Sequence, residues 1–189
     1  MSGENFQHVI QALRLFSGPA SLAQLGKELA RAGCKRAIVF CGASIMRRSV
    51  LLDSVLEAMN ERCAGVFSGV QAHSPVSSVE AAVQILRESE ADAVIALGGG
   101  SAIVTARAAS ILLAEGKDAH ALSTRRDESG QLHSPKLMAA KLPQFIVPTT
   151  PTTAVAKAGS AVFDVATQER LALYDPKTRA HAMFIDPAM

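Results

Sequence analysis

The stretch ADAVIALGGGSAIVTARAAS, residues 91–110, decides the fold. An apolar run from Ala93 to Leu97 meets three consecutive glycines and a serine, then enters a segment free of glycine and proline and rich in helix formers. A buried strand, a bare backbone and a helix form the junction at which open parallel sheets gather ligands, outside the carboxyl ends of their strands. Without a Cβ, Gly98, Gly99 and Gly100 can take positive φ and let a diphosphate approach the main chain. Ser101 can cap the helix while its first amides point at the anion. A tight turn serving packing alone is the alternative, and the pattern is neither GxGxxG nor a Walker loop, since no Gly-Lys-Ser/Thr follows.

Outward from this junction the same alternation recurs. RAIVFCG (36–42) reads as a buried strand, IMRRSVLLDSVLEAMNERC (45–63) as a helix, AGVFSGV (64–70) as a strand and VSSVEAAVQILRESE (76–90) as a helix. Upstream, Ser21 precedes LAQLGKELARAG, whose apolar positions 22, 25, 29 and 30 and final Gly33 predict an amphipathic helix. QHVIQALRLFSG (7–18) holds short apolar runs closed by Gly18 and Pro19, as one or two edge strands would. Downstream, 116–142 is a polar loop, QFIVPTTPTTAVAKAGSAVFD holds two strands around a Pro/Thr-rich turn, and ERLALYDP and HAMFIDPAM read as two more. Strands and helices at this interval make βαβ units, hence an α/β fold with a doubly wound parallel sheet.

Composition agrees and narrows the function. The chain has 189 residues, 49% of them hydrophobic, with no Trp and one Tyr, the mixture of a buried sheet covered by Ala-rich helices. A formal charge of +2, with Lys and Arg evenly spread apart from the pairs at 47–48 and 125–126, argues against a nucleic-acid surface. Cys34, Cys41 and Cys63 are odd in number and lack CxxC spacing, which disfavours a disulfide framework or zinc knuckle and suits a reducing, cytoplasmic setting. No apolar run reaches the ~18 residues of a membrane span, and the start, MSGENFQHVI, lacks the regions of a signal peptide, so no membrane partner is expected.

The second chemical motif is VPTTPTT, 147–153, directly after an apolar run. Threonine hydroxyls on a proline-stiffened turn can bond a ribose or phosphate, or equally their own backbone.

The glycine loop and the threonine turn, in this order and about fifty residues apart, resemble the cofactor loops of the iron-containing alcohol dehydrogenases. That family includes maleylacetate reductases and is related to glycerol dehydrogenase and dehydroquinate synthase. GGGSAIVTAR, VPTTPTTAVAKAGSAVFD, FIDPAM and LFSGPASLAQLGKEL carry the likeness, which covers nearly the whole chain. It implies a Rossmann-like, mostly parallel doubly wound sheet of the dehydroquinate synthase-like N-terminal type over residues 1–189. It also implies a nicotinamide dinucleotide with its pyrophosphate at Gly98 to Ser101, and Thr149, Thr150 and Thr153 lining the ribose and nicotinamide side. His73, Ser74 and Pro75 match a short loop that faces the cofactor in the family; a solvated loop histidine is the other reading. Three positions depart: the family's Asp falls on Val104, its Lys on Arg107 and the Glu of its threonine motif on Ala156; the loss of the Asp bears on one cofactor-positioning contact and leaves the amides and hydroxyls in place.

Dinucleotide folds that select NAD place an acidic residue after an early strand to bond the ribose 2′-hydroxyl. Here Cys41 or Gly42 takes that place, Ser44 lies close by, Arg47 and Arg48 follow, and no carboxylate appears before Asp53. The absence of the negative charge and the presence of positive ones are compatible with NADP or with both cofactors, against a plain solvated helix start.

Family members reduce or oxidise an alcohol, aldehyde or ketone with a divalent metal, iron or zinc, held by an Asp and three His of a helical C-terminal domain. His8, His73, His120, His133 and His181 include no i, i+4 pair, and the sequence stops about where that domain would begin. The expectation is therefore an N-terminal cofactor half without its metal domain, inactive in isolation. A non-catalytic nucleotide-binding module, or a dehydroquinate synthase or glycerol dehydrogenase relative, remains the alternative. There is no GxSxG elbow, and Cys41 at a strand end reads as a structural thiol before a nucleophile. Dimers through N-terminal edge strands are common in the family, and residues 7–18 can serve that way.

Overall fold

A computed structural model describes residues 12–189. In chain order the elements are β1 (Arg14–Ser17), α1 (Leu25–Arg31), β2 (Ala37–Gly42), α2 (Ala43–Met46), α3 (Ser49–Met59), β3 (Cys63–Val70), α4 (Val76–Glu88), β4 (Ala93–Gly98) and α5 (Gly100–Glu115). They continue with α6 (Ala119–Leu122), β5 (Arg125–Arg126), β6 (Leu132–His133), β7 (Gln144–Pro148), β8 (Gly159–Asp164), β9 (Glu169–Tyr174) and β10 (Ala180–Ile185). Six strands form one sheet in the order β1-β10-β7-β4-β2-β3, and every neighbouring pair is parallel.

Strand alternation sorts the core into two layers. Ile38, Phe40, Val94, Ala96 and Ile146 face α4 and α5, whereas Val39, Cys41, Ile95, Leu97, Phe145 and Val147 face α1 and α3. Both faces of the central strands are covered, which is why they read as continuous apolar runs. Ten of the residues of α5 from Ala102 to Leu112 are buried, because the helix lies between the sheet, α4 and the β8–β9 hairpin. Its small side chains at Ala102, Ala106, Ala108 and Ala109 permit that close approach.

The windings open the crevice. The chain leaves β2 through α2 and α3 on the Val39 face, but leaves β4 through α5 on the Phe40 face. The loops after two adjacent strands thus part to opposite sides, which is the topological switch point of a doubly wound sheet.

Three expectations need adjustment. The edge strand is β1, parallel to β10 and fastened by stacking of Phe16 on Phe184 at 5.3 Å and by Arg14 Nε on Glu28 at 2.7 Å. The part of the expected strand before residue 12, with His8, lies outside the described residues. The single helix expected over 45–63 is two helices, followed by a 3-10 turn at Asn60–Arg62. Met46, Arg47 and Arg48 are all exposed, so no packing holds a helical turn through that junction. Finally, β8 and β9 form a separate antiparallel hairpin, whose Val162, Leu171 and Leu173 pack in the layer of α5 rather than extending the sheet.

Candidate functional site

A cleft of about 300 Å³ lies at the switch point, walled by the ends of β2, β3 and β4 and by the threonine turn after β7. Gly98 closes β4 with φ +136°, a conformation that L side chains rarely adopt, so the chain can turn there only with glycine. Gly99 caps α5 without any side-chain hydrogen bond, and Gly100 is the first helical residue. Ser101 is therefore inside the first turn instead of capping it. Ala102 N already donates to Gly99 O at 3.1 Å, whereas the amides of Gly100 and Ser101 have no intrahelical carbonyl to bond. They form a concave donor set with the helix dipole behind it.

The two motifs are packed against each other. A Cβ on Gly99 would lie 3.1 Å from Thr150 Oγ1, and one on Gly100 would lie 3.1 Å from Thr152 Oγ1. Thr149 N donates to Gly98 O at 3.1 Å, which ties the start of the turn to the end of β4. The neighbouring threonines thus leave little room for a side chain at Gly99 and Gly100, while the turn itself demands glycine at Gly98. At the opposite wall a Cβ on Gly42 would meet Val70 O at 3.2 Å.

Of the residues singled out in the sequence, Gly42, Ser44, Gly98, Gly99, Gly100, Ser101, Thr149 and Thr150 line this cleft. Thr153 does not; it is exposed at the start of the 3-10 turn Thr153–Ala156, while Thr152 faces the glycine loop and accepts from Ala154 N at 3.2 Å. Arg47 is exposed at the α2–α3 junction and outside the cleft wall. His73 and Ser74 also stand off it, and the β3–α4 loop reaches the cleft through Gln71 and Ala72.

Ser74 has a different task. It is buried, donates to Ser101 O at 3.2 Å, accepts from Thr105 Oγ1 at 3.0 Å, and its carbonyl accepts from Phe163 N at 3.1 Å. His73 and Ser74 both carry positive φ, 64° and 50°, and the strain is held by those bonds. His73 Nδ1 lies 3.3 Å from Arg170 Nη2 on β9.

Arg107, the counterpart of the family's Lys, has a buried role that its place in the sequence does not announce. Its side chain is among the largest fully buried ones, and it donates to Ala154 O at 3.0 Å, Gly159 O at 2.8 Å and Thr178 O at 3.3 Å. Burial, then the nearby Arg179, push its pKa down to about 10. The available signal was that α5 has no polar face on which an arginine could lie in water.

A second, largely apolar cleft of about 430 Å³ adjoins the first and shares Thr149 and Thr150 with it; Pro148, Val155, Met183 and Ile185 line it. The thiols contribute little chemistry. Cys41 is fully buried with its pKa raised by that burial, and burial together with Asp92 pushes Cys34 up to about 11. Among the described residues no three of His, Cys, Asp and Glu come together to hold a metal ion, and no helix is long and apolar enough to cross a membrane.

The model of the family described as iron-containing alcohol dehydrogenase matches residues 12–187. The chain belongs to that family. Maleylacetate reductase of Pseudomonas knackmussii is 39% identical over 103 residues, 54% of this chain and 28% of that protein. NADH-dependent butanol dehydrogenase B of Clostridium acetobutylicum is 35% identical over 96 residues, 50% of this chain and 24% of that one. The crystal structure of sulfoacetaldehyde reductase from Bifidobacterium kashiwanohense in complex with NAD+ superposes on 98% of this chain and 47% of its own, with a TM-score of 0.80 at 18% identity. The last shows a shared fold. This member of the iron-containing alcohol dehydrogenase family spans less than half the length of that structure.

Proposed function

We propose that residues 1–189 are the NAD(P)-binding domain of a metal-dependent oxidoreductase that moves hydride between a nicotinamide cofactor and an alcohol, aldehyde or ketone. The observation that carries the reading is the meeting of the glycine loop and the threonine turn at the switch-point cleft, with the N-terminus of α5 uncapped by any side chain. Family membership and the NAD+ in the crystal of a protein of the same fold support it.

The residues present fit such a cofactor. The bare edge of Gly98 to Gly100 and the free amides of α5 would take the diphosphate, with Ser101 beside them. Thr149 and Thr150 stand between the two clefts and would orient the ribose, so that the nicotinamide enters the apolar cleft of Pro148, Val155 and Met183, which excludes water from the reacting carbon. The bound nicotinamide supplies the hydride; the protein supplies position. The described residues do not fit the family's metal, and its ligands would come from the portion of its relatives that this chain does not span. Gly42 and Ser44 present no carboxylate to a ribose 2′-phosphate, which supports use of NADP as well as NAD.

Titration of the chain with NADH and NADPH, followed by nicotinamide fluorescence, tests the reading. Gly99→Asp places a carboxylate where the diphosphate would lie, and like charges at an interface cost several kcal/mol. At ~1.4 kcal/mol per factor of ten, affinity should fall by about 100-fold or more. Binding of both cofactors unaffected by the carboxylate would move the diphosphate off the glycine loop.

A further inference from the structure

Arg107 sits seven residues after Gly100 in α5, two helical turns along the same face, about 10 Å lower. At the top of that face Gly100 adjoins Thr152, and at Arg107 the same face receives the next part of the threonine segment, because Nη2 bonds Ala154 O at 3.0 Å. The remaining donors reach the start of β8 at Gly159 O, 2.8 Å, and the 3-10 turn before β10 at Thr178 O, 3.3 Å. Three segments distant in sequence are therefore held to one guanidinium, and no carboxylate pairs with it among the described ion pairs.

A fully buried cation served by carbonyls alone is an expensive way to fill space; an apolar side chain would pack there at lower cost. What a planar guanidinium adds is geometry, a fixed fork that can set three carbonyls at once, which an ammonium on a flexible stem cannot do. The segment it sets is the one immediately after Thr149 and Thr150, which line the cleft, and Thr152, whose hydroxyl like that of Thr150 meets the glycine loop. Arg179 Nη1 reinforces the same turn by bonding Ala156 O at 3.1 Å.

We infer that Arg107 is a positioning residue for the cofactor, fixing the threonine turn at the height at which it orients the ribose and nicotinamide, while the glycine loop that takes the diphosphate has a second support of its own. That support is the bond from Ser74 Oγ to Ser101 O, together with the glycine-only φ of Gly98, neither of which passes through Arg107. The inference rests on the cofactor reading above.

The test compares wild type, Arg107→Met, Arg107→Lys and Arg179→Gln for affinity toward NADH and toward ADP, which offers the diphosphate without the nicotinamide. Circular dichroism and a cooperative melt establish folding at the assay temperature. The expected result is a loss of about tenfold or more for NADH and less than threefold for ADP in Arg107→Met, partial recovery in Arg107→Lys, and a smaller loss of the same selectivity in Arg179→Gln. Folded variants that bind NADH within twofold of wild type, or that lose NADH and ADP equally, overturn the inference and leave the cofactor reading standing. If Arg107→Met does not fold, Arg107→Lys and Arg179→Gln decide by the same criterion. A wild type that binds neither NADH nor NADPH defeats both readings together.

Discussion

Replacing Gly100 by alanine should change sign with the residue at position 152. Gly100 opens α5, where alanine gains up to ~0.5–1 kcal/mol of backbone entropy and helix propensity over glycine. Against this, the new Cβ would stand 3.1 Å from Thr152 Oγ1, so the hydroxyl must retreat by a few tenths of an ångström. It is not free to do so, because it accepts from Ala154 N at 3.2 Å and caps the following 3-10 turn, a bond worth ~1 kcal/mol. Overpacking of a close contact costs ~1–3 kcal/mol, so Gly100→Ala alone should destabilise by about 1 kcal/mol and lower Tm by ~2–4 °C. Thr152→Ala loses the cap but opens the space, and in that background Gly100→Ala should stabilise by ~0.5–1 kcal/mol. Urea unfolding of the four proteins of the cycle reads the difference as a coupling of about 1.5–2 kcal/mol. An equal effect of Gly100→Ala in both backgrounds would refute the claim that the threonine turn is packed on the glycine loop.

Other consequences are open to simple assays. The Asp175 side chain is buried beside Lys141 at 3.1 Å and Lys177 at 3.0 Å; burial pushes its pKa up, but the Lys177 amide and the two ammonium groups outweigh this and hold it below the usual value. Its contribution is therefore full above the ordinary aspartate pKa of ~3.9 and is lost as pH falls through the lower folded value, so Asp175→Asn should cost about 3–5 kcal/mol near neutrality and progressively less toward pH ~3. A constant difference in urea midpoint between the two proteins across that range would contradict it. A thiol reagent at pH 8 should label half-buried Cys63 in the native protein, with Cys34 and Cys41 following only on unfolding; prompt native labelling of Cys41 would reopen its reading as a nucleophile. Arg47→Ala/Arg48→Ala should weaken NADPH relative to NADH by about 2- to 30-fold, the worth of two exposed charges at ~0.2–1 kcal/mol each, and an unchanged preference would remove these arginines from cofactor selection.

The parts of the fold legible in the sequence are those whose environment is uniform. β2, β4 and β7 are buried on both faces and so appear as unbroken apolar runs, and the alternation with helices then leads to a parallel sheet and to a crevice beyond Gly98. The β8–β9 hairpin was legible as two strands but not in its place, because strands with one buried face, such as ERLALY in Glu169–Tyr174, pack equally well on a helix layer or at a sheet edge. The helix break at Arg47 escaped because apolar spacing continues through it, from Ile45 to Leu52, while the exposure that permits the break depends on the surroundings.

The site divides by the same logic. Glycines announce themselves, since a missing Cβ is visible in the sequence, but which threonine meets them depends on the phase of a short irregular turn, and a shift of one residue exchanges Thr152 for Thr153. The structural roles of Ser74 and Arg107 were not legible for a further reason: polar residues are assigned to ligands or solvent when no partner is in view, and the partners of these two, main-chain carbonyls and the Thr105 hydroxyl, lie 27 to 71 residues away. That separation gives the glycine loop and the threonine turn different supports, Ser74 beneath the first and Arg107 beneath the second. A cofactor that touches both loops joins them from the open side, so at equal cofactor concentration its binding should raise the melting temperature of wild type by more than that of folded Arg107→Met, because a protein that offers both loops already in register binds more tightly.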